Sequence, residues 1–171
     1  MAKIDFEQLR FVIADDNAHM RRILRTMLRA FGSREIYEAE EGASGLEAVE
    51  AYQPDILITD LKMPIFDGLE LTRMIRNPDG FSQPYLPIII LSAYSEKHQV
   101  IAARDAGATD FICKPVSAAT LYSRIQNIIE HPRPFIRTTT YFGPDRRRQD
   151  SIYSGEDKRK ADSAAHIQIP D

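Results

Sequence analysis

Three carboxylates, one hydroxyl and one ammonium each stand directly behind a short apolar run. Asp15-Asp16 follow residues 11–14, Asp60 follows 56–59, Ser92 follows 88–91, and Lys114-Pro115 follow 111–113. Taken singly, each has an ordinary role: Asp16 or Asn17 can cap a helix, Asp60 can serve a turn, Ser92 can be a loop hydroxyl, and Lys114 a solvated cation before a rigid proline. Gathered at one point, they would behave differently. Three carboxylates about 4 Å apart repel by about 4 kcal/mol per pair at an effective dielectric near 20, so something positive has to join them. A hard divalent ion with oxygen ligands does this best. Mg²⁺ suits a site with few carboxylates, where waters and a phosphate oxygen complete the octahedron. Lys114 adds a charge that can meet a phosphate oxygen.

Whether these groups converge depends on the elements that carry them. The apolar runs at 11–14, 36–39, 56–59, 88–91 and 111–113 are mostly too continuous for half-exposed strands, and continuous strands belong in sheets covered on both faces. Between them, Met20, Ile23, Leu24, Met27, Leu28 and Phe31 recur at helical spacing and leave Arg21, Arg22, Arg25 and Arg29 mostly on another face. Leu46, Val49 and Tyr52 mark a second helix, Leu71, Met74 and Ile75 a third, residues 96–106 a fourth, and Leu121, Ile125, Ile128 and Ile129 a fifth. Gly32, Gly107 and Gln53-Pro54 stand where helices stop. Strand–helix alternation with crossovers of this length predicts an α/β fold: right-handed βαβ units in a doubly wound, five-stranded parallel sheet. Ligands of such sheets collect beyond the carboxyl ends of the strands, which is where the five groups lie. The interval between the third and fourth strands is about ten residues longer than its neighbours, and residues 77–85 read as an extended loop.

Composition narrows the classes. With 171 residues, 43% hydrophobic and 27% charged, the chain reads as one domain with an appendage. No apolar run approaches the roughly 20 residues of a membrane helix, and no signal peptide is legible, so a cytoplasmic protein without membrane contact is expected. The lone Cys113 cannot form an internal disulfide. His19, His98, His131 and His166 stand too far apart for metal-ligand spacing. Residues 131–171 carry eight Lys/Arg against six Asp/Glu, so the body is acidic and the tail mildly basic.

The order and spacing of Asp15-Asp16, Asp60 before Leu61-Lys62-Met63-Pro64 and Asp67-Gly68, Ser92-Ala93, and Gly107-Ala108 before Phe111-Ile112-Cys113-Lys114-Pro115 resemble a bacterial two-component response-regulator receiver domain, over about residues 8–131. The resemblance implies a flavodoxin-like (βα)5 fold with strand order 2-1-3-4-5. It implies that Asp60 accepts a phosphoryl group from a sensor histidine kinase or histidine phosphotransfer protein, as carboxylate nucleophiles do elsewhere. Asp16, Asp60 and the Lys62 backbone carbonyl would bind Mg²⁺, with Asp15 helping through water. Lys114 would contact the phosphate, and Ser92 would donate its hydroxyl to it. Phe111, three residues before the lysine, would turn inward as the aromatic switch, although it also reads as plain core. The added charge would bias a surface made of the fourth helix, fifth strand and fifth helix. That surface would carry the contact with an unknown downstream protein, and a homodimer formed through it stays open. Lys62 and Tyr94 lie where relatives tune phosphate lifetime, while Lys62 also fits a solvated cation.

Other readings meet obstacles. A haloacid-dehalogenase-type phosphohydrolase needs an acid two places after its nucleophile, where this chain has Lys62. There is no G-x-x-x-x-G-K-[ST] or G-x-S-x-G, and residues 42–45 lack dinucleotide-loop spacing. Residues 1–131 are therefore read as the receiver domain of a non-enzymatic switch. Residues 132–171 are read as a tail, extended or disordered by composition. Arg146-Arg147-Arg148 and Lys158-Arg159-Lys160 suggest a nucleic-acid arm, but the interleaved Asp145, Asp150, Glu156 and Asp157 dilute it. A third reading docks residues 133–137 and Tyr141-Phe142 on the receiver or on a partner.

Overall fold

The computed structural model describes residues 3–147 and 166–168. Five parallel strands, β1 (Arg10–Ala14), β2 (Glu35–Ala39), β3 (Ile56–Asp60), β4 (Ile88–Ser92) and β5 (Asp110–Cys113), form a sheet in the order β2-β1-β3-β4-β5. Helices α1 (Ala18–Phe31), α2 (Gly42–Tyr52), α3 (Gly68–Ile75), α4 (Lys97–Ala106) and α5 (Ala118–Glu130) connect and follow them. The strand order is that of the flavodoxin-like receiver fold. Because strand side chains alternate in direction, each central strand feeds two cores. Phe11, Ile13, Ile56, Ile58, Ile89 and Leu91 face Leu24, Leu28, Leu121 and Ile125 of α1 and α5. Val12, Ala14, Leu57, Ile88 and Ile90 face Val49, Leu71, Ile75 and Ala103 of α2, α3 and α4. Among the described residues, no helix is long and apolar enough to cross a membrane.

Two departures from the sequence pattern have local causes. β2 and β5 form the edges of the sheet, so they are only partly covered and Cys113 is exposed. Arg21 does not share the outer face of α1 with Arg22 and Arg29. It lies with Leu24 and Leu28 on the buried face, three and seven residues away, as helical spacing requires.

The helix ends are set by local chemistry. Asn17, and not Asp16, caps α1: its Oδ1 accepts from the His19 and Met20 N–H groups at 2.9 and 3.2 Å, which leaves the Asp16 carboxylate free for other work. Gly32 and Gly107 end α1 and α4 at φ 114° and 105°, in the left-handed region that favours glycine. Asp67 and Glu70 form a reciprocal capping box that starts α3. Gly68 has to be glycine because a Cβ there would run into the Asp60 carbonyl oxygen.

Beyond α5, the chain returns over the α4 side of the sheet. β6 (Phe135–Arg137) pairs antiparallel with β7 (Phe142–Pro144) and with β8 (His166–Gln168). The ring of Phe135, only 5% exposed, packs against Tyr85 at 4.9 Å and Phe142 at 5.6 Å, so the 77–85 loop supplies part of its seat. Arg76 lies over the same ring at 5.0 Å. It is buried, and donates to the Gly107 carbonyl at 2.9 Å and the Pro84 carbonyl at 2.8 Å. Arg148, Asp150 and residues 156–160 fall outside the described residues.

Phe135→Ala is expected to cost about 3 kcal/mol of stability, the usual loss for emptying an aromatic seat in a core. Urea denaturation checks this, and an unchanged midpoint would show that the segment contributes nothing to the fold.

Candidate functional site

The carboxyl ends of β1, β3 and β5 bring the predicted groups together. Asp15 ends the β1 run with its N–H on the Ala39 carbonyl of β2, at 3.1 Å, and its side chain is almost fully buried. Asp60 is the last residue of β3. Asp15, Asp16 and Asp60 each present a carboxylate oxygen within 4.8 Å of the others. Lys114 reaches in from the end of β5, its Nζ 2.9 Å from Asp60 Oδ1 and 3.3 Å from Asp15 Oδ2. Its backbone N–H donates to the Ser92 carbonyl at 2.7 Å, which ties the lysine to the β4 terminus.

These contacts decide the charge state of the site. Burial pushes the Asp60 carboxyl above its ordinary pKa; the Lys114 hydrogen bond pulls the other way, and the Asp15 and Asp16 charges push upward again. For Lys114, burial acts to lower the pKa, but the Asp60 hydrogen bond and the charges of Asp60 and Asp15 outweigh it and raise it. Three carboxylates against one ammonium leave two negative charges uncompensated. The Asp16 carboxylate has no hydrogen bond or ion pair with any described residue. An all-oxygen donor set with that surplus fits a hard divalent cation such as Mg²⁺.

Ser92, 2% exposed, lies one step past Leu91, the register partner of Asp60. Its hydroxyl donates to Gln99 Oε1 on α4 at 3.2 Å and accepts from the Tyr94 N–H at 3.1 Å. Phe111 is half-buried on β5, against the core shared by α2, α3 and α4. The Lys62 side chain is exposed yet not free: its Nζ sits 4.5 Å from the centre of the Tyr94 ring, so residues following two different strands meet. Ile65, on the loop leaving Asp60, is 84% exposed at φ 73°, a conformation costing a β-branched residue on the order of 1–3 kcal/mol.

Two contributors escaped the sequence reading. Arg21 donates to the Asp15 backbone carbonyl at 2.7 Å and to Glu40 at 3.2 Å, fixing the β1 terminus from beneath; its spacing from Leu24 and Leu28 was the available signal. Gln99 holds the Ser92 hydroxyl, and nothing in the pattern of α4 singles it out.

Comparison with known proteins agrees with this geometry. Residues 11–126 match the family model of the response regulator receiver domain. The chain is 32% identical over 124 residues to chemotaxis protein CheY-3 of Vibrio cholerae, covering 72% of this chain and 94% of that protein. It is 32% identical over 122 residues to chemotaxis protein CheY of Pseudomonas aeruginosa, covering 71% and 97%. Among solved structures, a candidate response regulator from Chloroflexus aurantiacus superposes with a TM-score of 0.67 at 31% identity, covering 72% of this chain and 98% of that one.

The raised pKa of Asp60 has a definite sign for stability. The folded state holds the proton more tightly than the unfolded chain, so stability falls as pH rises above 3.8, the ordinary value, and levels off once the folded-state carboxyl is ionised. Relative to wild type without divalent cation, Asp60→Asn should therefore gain stability across that window. Urea midpoints from pH 3 to 7 measure it, and a difference that does not change with pH would contradict the assignment. Mg²⁺ at about 100 times its dissociation constant should stabilise wild type by about 2.7 kcal/mol and leave Asp60→Asn much less affected.

Proposed function

The chain belongs to the response-regulator receiver family and is a response regulator of two-component signalling, and on that premise we propose that it is a switch phosphorylated on Asp60. One observation carries the reading: Lys114 bonds Asp60 and Asp15 at once, at the centre of a carboxylate cluster. The phosphodonor is a phosphohistidine on a sensor kinase or phosphotransfer protein in the cytoplasm. An Asp60 oxygen attacks phosphorus, the P–N bond breaks, the imidazole leaves, and an acyl phosphate remains. Burial that raises the Asp60 pKa also makes the ionised carboxylate a better nucleophile. Asp16, Asp60 and the Lys62 carbonyl would hold Mg²⁺, with Asp15 assisting through water; when bound, the ion neutralises charge on the transferring group.

Lys114 is free to exchange one carboxylate contact for a phosphate oxygen. Ser92 has to give up Gln99 before its hydroxyl can reach the new phosphate, which releases α4 from the end of β4. Phe111 then turns toward the vacated space, and the face formed by α4, β5 and α5 changes its contacts with a downstream protein. This is a binding switch, with one modification event per cycle. Lys62 and Tyr94 together screen the acyl phosphate from water. Exposed Ile65 on the same loop offers the phosphodonor an apolar contact. A nucleic-acid arm finds little support, because Arg146 pairs with Asp105 at 2.7 Å and Arg147 with Asp145 at 3.0 Å.

Incubation with acetyl phosphate and Mg²⁺ should add one acid-labile phosphoryl group per chain, read by intact mass, and none to Asp60→Asn. An unmodified wild type that also fails to bind beryllofluoride would sink the reading. Gln99→Ala frees a hydroxyl held by a bond worth about 1 kcal/mol, so it should bind beryllofluoride about fivefold more tightly than wild type. Equal affinity would mean that the Ser92–Gln99 bond does not gate the switch.

A further inference from the structure

The return of the chain over α4 builds a second concave site, lined by residues of α4, β5 and α5 and of the segment that follows. The cleft has a volume of about 360 Å³, within the range of small-molecule pockets. Its apolar wall comes from Val100, Ala103 and Phe111. Four arginines complete it, each from a different part of the chain: Arg104 from α4, Arg124 from α5, Arg133 from the link to β6, and Arg146 from the segment after β7. There is no lysine in this lining.

The charges do not cancel internally. Asp110 takes both of its oxygens to Arg124, at 3.0 and 3.2 Å. Asp105 is shared by Arg146 at 2.7 Å and Arg104 at 3.6 Å. Arg133 is exposed and has no ion pair with any described residue; Asp145, whose charge it feels, is bonded to Arg147. Four cations against two carboxylates leave a positive surplus on a domain body that is otherwise acidic. Guanidinium is the cation suited to bidentate recognition of planar or tetrahedral oxyanions, and its face also stacks on rings.

We propose that this cleft binds a small phosphorylated molecule carrying a ring, a nucleotide in chemical class, with the phosphate held by Arg104 and Arg133 and the ring against Phe111 and Val100. The site needs residues from both the receiver body and the segment beyond α5, so shortening the chain to its first 131 residues removes half of its cations. It is already formed without a phosphoryl group on Asp60, while Phe111 still lines it.

The test uses the full chain without Mg²⁺, titrated calorimetrically with inorganic pyrophosphate, AMP, GMP and the dinucleotide ApG. At least one ring-bearing probe should bind saturably at one site, more tightly than pyrophosphate. Binding should weaken by at least roughly tenfold in Arg104→Ala/Arg133→Ala, as loss of charge-assisted hydrogen bonds requires, and be unchanged in Asp60→Asn. Both arginines are exposed, and unaltered labelling of the double variant by acetyl phosphate shows that fold and phospho-acceptor are intact. The proposal and the Asp60 reading thus fail separately. Absence of binding by every ring-bearing probe, binding that survives the double variant, or binding lost in Asp60→Asn overturns the proposal. So does binding of a hexaglutamate peptide in place of the nucleotides, which would assign the cleft to an acidic protein partner.

Discussion

Repulsion among three carboxylates is the constraint around which this molecule is built. Asp15, Asp16 and Asp60 converge within 4.8 Å, and the neighbouring strand ends are arranged to make that tolerable. Lys114 shares its one positive charge between Asp15 and Asp60. Asn17 takes over the capping of α1 and spares Asp16 for the cluster. Arg21 pins the backbone carbonyl of Asp15 from the buried face of α1 and so fixes where its side chain starts. The unanswered surplus is the physical basis for cation affinity, and the positive charge of a bound cation is what would let an anionic group approach these acids.

Helix α4 has a small buried face. Among its ten residues only Ala103 and Ala106 are buried, so small side chains give it little grip on the sheet. Specific contacts hold its two ends instead. Gln99 meets the Ser92 hydroxyl near the site, while Asp105 and Gly107 meet Arg146 and Arg76 at the far end. Polar contacts of this kind are individually worth about 1 kcal/mol and can be exchanged without disturbing the apolar layers beneath. The segment beyond α5 therefore shares α4 with the Ser92 contact.

Much of this was legible because the signals are local. Continuous apolar runs marked the central strands, and helical spacing with Gly32, Gly107 and Gln53-Pro54 marked the helix ends. What resisted reading was pairwise and remote. The run pattern could not distinguish central strands from β2 and β5, whose position at the sheet edges exposes them. Arg21 looked like one of several outward arginines until packing showed it beside Leu24 and Leu28. Gln99 has no pattern at all: its role comes from the place where α4 lands relative to β4.

Residue order alone thus determined the alternation of strand and helix, and the placing of Asp15, Asp16, Asp60, Ser92 and Lys114 behind strands, because hydrophobic period and turn chemistry act over a few residues. Only the tertiary structure decided which of those groups touch, that Lys114 bridges two acids, that Lys62 lies on Tyr94, and that Phe135 folds back onto Tyr85 and Arg76. Those contacts join positions tens of residues apart, and their geometry follows from sheet order, register and core packing, which no short stretch of chain contains.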